Sequence, residues 1–172
     1  MKSVNFEILR DGWPELAGLG AFAEAYAHAD PASALVKLRL FAENLTKDIY
    51  RELRLPKPDL PTFVDLLKND AFIAITPKVV LDKLHALRIH GNKAAHGEPV
   101  RSQQALWLLK EAHDLARWMC VRYGNAKADQ LNTFQQPAIP GQIEERERRQ
   151  VLEKLAVQEA QMDALLSELE EA

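Results

Sequence analysis

Cysteine is nearly missing from the 172 residues: Cys120 stands alone, so no internal disulfide can form. A reducing compartment suits such a chain, and the cytoplasm is the expected location. Strand signals are scarce too. The best β-like run, Phe72 to Ile75, is stopped by Pro77. No apolar run approaches the length of a membrane span, and the opening MKSVNFEILRDGW has no leader-like apolar core, so no membrane contact is expected. There is no GxxxxGK[ST] loop, no HExxH, no CxxC pair and no ExK after a nuclease-type aspartate. These absences exclude P-loop ATP hydrolysis and metal-dependent DNA cleavage by the sequence in hand, and neither metal nor cofactor is expected in it. His85, His90, His96 and His113 lack accompanying carboxylate clusters and read as separate surface or edge histidines.

Large net charge is also lacking. The formal value is −3, but it is uneven: from Ile143 onward nine carboxylates face four bases, a net of −5, which leaves +2 upstream. A mildly basic body therefore precedes an acidic tail.

What the chain does have is helical periodicity. Pro14 opens a segment whose Gly18 and Gly20 lower its propensity, so that helix depends on packing. Asp30-Pro31 joins an N-cap acceptor to a proline at the first helical position. The helix that follows has an apolar stripe of Leu35, Leu38, Ala42, Leu45, Ile49 and Leu53. Three prolines between Pro56 and Pro61 break it. Pro61 opens a short helix, and Thr76-Pro77 repeats the cap-plus-proline start. From Ser102 a long helix turns Leu106, Leu109, Ala116 and Met119 inward and stops at Gly124. Cys120 reads as a buried thiol there, and Trp107 and Trp118 as core residues. The predicted fold is all-α: a bundle of about five helices over 1–123, a Gln/Pro-rich strap or linker over 124–142, and a projecting charged helix over 143–172. In that last helix Leu152, Leu155, Met162, Leu166 and Leu169 fall at heptad-like intervals interrupted by Glu159, a coiled-coil start that offers a homodimer contact.

The segment LHALRIHGNKAAHG, Leu84 to Gly97, carries the most chemistry. Val80, Leu84, Leu87, Gly91 and Ala95 share an arc of about 80°, and His85, Arg88, Asn92 and His96 share the arc beside it. Gly91 sits on the dry face, where a missing Cβ admits another helix. The polar stripe has two readings. In the structural one, Arg88, Asn92 and His96 lock and cap the bundle. In the functional one, arginine holds a phosphate and histidine moves a proton, in a composite site doubled by a symmetric partner. Lys37, Arg39, Lys47 and Arg51 on the preceding helix are further candidates for phosphate contact, although Glu43, Asp48 and Glu52 are interleaved and a solvated face is the favoured reading.

Three stretches in order and spacing, DPASALVKLRLFAENLTKDIY, LHALRIHGNKAAHG and LKEAHDLARWMCVRYG, resemble the helical N-terminal domain of type I restriction enzyme R subunits, which is similar to HEPN-like helical domains. The likeness spans about Val4 to Pro140. It implies a non-catalytic assembly or DNA-contacting domain, excised from a larger subunit whose nuclease and helicase domains would use ATP and magnesium. The implied partners are the other subunits of the restriction complex and DNA, with Arg88, Asn92 and His96 holding the bundle or engaging the partner. The HEPN likeness implies an alternative, a metal-independent endoribonuclease acting as a dimer. HEPN ribonucleases separate their arginine and histidine by four to six residues, whereas Arg88 and His96 have seven between them. A plain coiled-coil oligomerisation module is the third reading.

Overall fold

The computed structural model describes residues 1–171, with backbone alone over 140–146; residue 172, the last of the predicted charged helix, and the side chain of Ile143 lie outside the described residues. The protein is all-α. Its helices are α1 (Pro14–Tyr26), α2 (Pro31–Leu53), α3 (Phe63–Lys68), α4 (Asp70–Ile75), α5 (Lys78–Ala95), α6 (Ser102–Tyr123) and α7 (Pro140–Glu171), with 3-10 turns at Glu7–Leu9 and Ala128–Gln130. Among the described residues there is no strand.

Six helices, against about five expected, lie before residue 124, because local capping divides the stretch after Pro61. Thr62 and Asp65 form a reciprocal capping box that starts α3. Asn69 then leaves helical geometry, with ψ 127°, and its side chain accepts from the Ala71 N–H at 2.9 Å to start α4. The β-like run from Phe72 to Ile75 is thereby helical. At Asp30 the expected start holds: its carboxylate accepts from the Ser33 N–H at 3.1 Å, and Pro31 is the first helical residue. The Thr76-Pro77 start differs. Pro77 itself caps α5, and the buried Thr76 hydroxyl has no partner among the described residues.

The chain divides into two units, Met1–Pro137 and Ala138–Ala172. In the first, α2 supplies the central ridge, with Leu35, Leu38, Phe41, Ala42, Leu45 and Ile49 all buried. Leu53, expected on that stripe, is 37% exposed, because the helix ends there and Arg54 turns the chain away at φ 52°. Gly20 of α1 lies under the Phe6 ring; a Cβ there would fall 2.3 Å from Phe6 Cγ. Tyr50 stacks on Phe72 at 5.4 Å and donates its hydroxyl to the Leu66 carbonyl, fixing α3 and α4 to α2.

On α6 the inward face is wider than the sequence suggested. Leu109, Ala116 and Met119 are buried, Leu106 only partly, and Ala105, Leu108, Ala112 and Leu115 join them. Cys120 is buried. Two residues depart from their expected places. Trp107 is about half exposed, meeting His90 edge-on at 5.3 Å. His113, expected at an edge, is wholly buried against Phe6 and Phe134, because its position lies inside the widened core face.

Phe134 belongs to the strap, and the strap is laid down by hydrogen bonds. The Asn5 side chain donates to the Gln135 carbonyl and accepts from the Gln135 N–H, both at 2.8 Å. It also donates to Glu24 of α1 at 2.6 Å. The Pro137 carbonyl lies 2.9 Å from His28 Nε2. A single buried amide thus ties the N-terminal segment, α1 and the strap together.

In the second unit, α7 begins at Pro140, three residues before its expected start. Leu152, Leu155, Met162, Leu166 and Leu169 are each more than half exposed. Among the described residues, no helix is long and apolar enough to cross a membrane.

Candidate nucleic-acid interface

Helix α5 presents the two adjoining faces that its sequence describes, with one adjustment. Val80, Leu84, Leu87, Gly91 and Ala94 are buried; Ala95 is exposed. The buried set alternates steps of four and three, which follows a 3.6-residue turn better than the step of four to Ala95. Gly91 marks where α5 crosses α2. A Cβ there would lie 2.3 Å from Arg39 Cβ and 3.0 Å from the Leu35 carbonyl oxygen, so only glycine permits this approach.

That crossing sets the Arg39 stem of α2 directly against α5. Arg88 is one turn before Gly91, and Asn92 directly follows it. Arg88 is partly buried and its Nη2 donates to His85 Nδ1 at 3.3 Å. His85 is held below its ordinary pKa by burial first, then by Arg88 and Lys68, so the ring is neutral and free to accept. Arg39 reaches Glu43 at 3.5 Å, and Lys47 reaches the same carboxylate at 3.2 Å. One carboxylate therefore answers two bases. The Nε atoms of Arg39 and Arg88 are both buried with no hydrogen-bond partner among the described residues.

The other candidates stand apart from this pair. Asn92 is partly buried. His96 is the exposed C-cap of α5, at φ −90° and ψ 11°. It lies eight positions on from Arg88, a rise of about 12 Å. Lys37 turns to α1 and sits over the Phe22 ring at 5.1 Å. Arg51 pairs with Asp48 at 2.7 Å on the exposed part of α2. Arg39 thus meets α5 at Gly91, one turn from the Arg88–His85 pair, while Lys37 and Arg51 make their contacts elsewhere and His96 stands at the helix end.

The opposite edge of α5 is occupied internally. Lys83 bonds Glu111 at 2.7 Å and Asp114 at 3.2 Å on α6. Burial pulls the Lys83 pKa down, but its bonds to these two carboxylates prevail and raise it. His90 Nδ1 accepts from Gln104 Nε2 at 2.8 Å, and burial followed by Lys93 lowers its pKa. These cross-helix pairs lie on the face turned to α6. Sequence spacing within α5 alone carries no signal for them.

Chemically, the partly exposed guanidiniums of Arg39 and Arg88 can hold an anion. Among the described residues, the histidine in contact with Arg88 is His85, which accepts its hydrogen bond. Among the described residues no group of three His, Cys, Asp or Glu side chains gathers as a metal site.

Residues 22–136 match the family described as "Domain of unknown function (DUF4145)". The chain belongs to the DUF4145 family. No curated protein and no solved structure matches it. The DUF4145 match takes in α2 to α6, and so the whole arginine cluster, and ends just before the Pro137 boundary. Helix α7 lies outside it.

Proposed function

We propose that this chain is a non-catalytic domain of a type I restriction R subunit, serving assembly or DNA contact, and that the α2–α5 face meets the DNA backbone. The observation that carries the reading is the Gly91 crossing, where Arg39 of α2 packs on α5 one turn from Arg88, so that each helix contributes one partly exposed guanidinium. Arginine in that state suits phosphate oxygens, which accept several bonds at once. Phosphate contacts fix position without reading sequence, which fits a domain whose target is chosen by a separate subunit. The three stretches that carry the resemblance to R subunits are α2, α5 and α6, which pack into one core; the first two build this face.

The test is fluorescence anisotropy with a labelled duplex at several salt concentrations. Arg88→Ala and Arg39→Ala should each weaken binding about 5- to 10-fold and reduce the slope of log K against log salt by about one. Unchanged affinity in both would overturn the reading. So would cleavage of structured RNA without metal that Arg88→Ala and His96→Ala both abolish, since that is the behaviour of the endoribonuclease alternative. For α7, the exposed apolar residues favour a further role, contact with a second copy of the chain.

A further inference from the structure

Helix α7 carries an apolar seam that its own unit leaves uncovered. Leu152, Leu155, Met162, Leu166 and Leu169 follow alternate steps of three and four, with Glu159 in the remaining seam position. We propose that a second copy covers this seam, and that the two α7 helices run antiparallel. The inference rests on the dimer role just given to α7 and adds its direction and register.

Charge decides the direction. From Glu147 to Gln158 the helix has three bases and two carboxylates, a net of +1; from Glu159 to Glu171 it has five carboxylates and no base, a net of −5. Parallel pairing sets the −5 half against itself. It also sets Glu159 against the partner's Glu159 within the seam, where two like charges would be desolvated together. Antiparallel pairing sets the acidic half against the basic half.

The antiparallel register follows from the seam. Leu152 meets the partner's Leu169, Leu155 meets the partner's Leu166, and Glu159 meets the partner's Met162. The Glu159 carboxylate lies beside a flexible thioether and can swing its charge to the edge. Beside the seam, this register places Arg149 within two residues' rise, about 3 Å, of the partner's Glu170, an opposite-charge pair made twice per dimer. In the parallel arrangement these two residues never meet.

Disulfide mapping on the full chain tests this. Cys120 is replaced by alanine, and Leu152→Cys and Leu169→Cys are introduced separately, the two chains differing in tag size. Under mild oxidation each variant alone should remain uncrosslinked, and an equal mixture should give the mixed disulfide. Self-crosslinking of Leu169→Cys overturns the direction while leaving the dimer in place. As a measurement free of substitutions, sedimentation of the native chain at about 100 µM should give twice the 19.4 kDa monomer mass. Monomer mass there overturns both the dimer role and this inference, whereas DNA binding by the α2–α5 face stands or falls by its own titration.

Discussion

His113 makes folding pH-dependent, and the size of the effect follows from its surroundings. The ring is wholly buried between Phe6 and Phe134, and neither nitrogen has a hydrogen-bond partner among the described residues. Burial lowers its pKa from 6.5 to about 4; Asp114 and Glu24 pull it up, while Arg117 and Lys110 push it down. A depressed histidine folds neutral, so the unfolded chain takes up a proton first as the pH falls. The stability contributed is therefore complete above pH 6.5 and is lost as pH falls from 6.5 toward 4. At about 1.4 kcal/mol per unit, the whole loss is of order 3 kcal/mol, and between pH 7.5 and 5 it is about 2 kcal/mol. Urea unfolding of the native chain and of His113→Leu at both pH values measures it. The substitution removes no hydrogen bond, so the leucine variant should match or exceed the native stability at pH 7.5. Its decline toward pH 5 should be smaller by about 2 kcal/mol. An equal decline in both proteins would refute the reasoning, because the proton would then be taken up elsewhere.

Two glycines on neighbouring helices should respond oppositely to alanine. Gly91→Ala places a Cβ against Arg39 Cβ and the Leu35 carbonyl and should lose about 1–3 kcal/mol despite better helix propensity. Gly18→Ala enters open space and should gain about 0.5–1 kcal/mol, both read from thermal or urea midpoints. Asn5→Ala removes the bridge to Gln135 and Glu24 and should cost about 1 kcal/mol; limited proteolysis between 125 and 137 should speed up, and an unchanged cleavage rate would show that the strap is held by other contacts.

Most of the helices were legible in the sequence because their signals are local. Asp30-Pro31 and Gly124 act within a turn of themselves, and the apolar steps of α2 and α5 repeat often enough to fix a face. The run from Pro56 to Ile75 was harder to read. Thr62–Asp65 and Asn69 are caps whose effect depends on where the backbone bends, and the β-branched Ile73 and Ile75 suggest strand when read alone. His113 was misplaced because its burial comes from the strap, which the chain reaches some twenty residues later through Asn5 and Gln135. At the candidate site, Gly91 announced a close approach but not its partner. That Arg39 is the residue it meets, and that His85 rather than His96 contacts Arg88, are facts of helix crossing that spacing within one segment does not encode.

The central claim is that the arginines flanking the α2–α5 crossing hold an anionic backbone and cut nothing. Its most direct measurement is duplex-DNA anisotropy across a salt series for the native chain, Arg39→Ala, Arg88→Ala and the double variant. The account predicts binding that weakens with salt, a slope lower by about one in each single variant, and a further fall in the double. Identical slopes in all four proteins would contradict it.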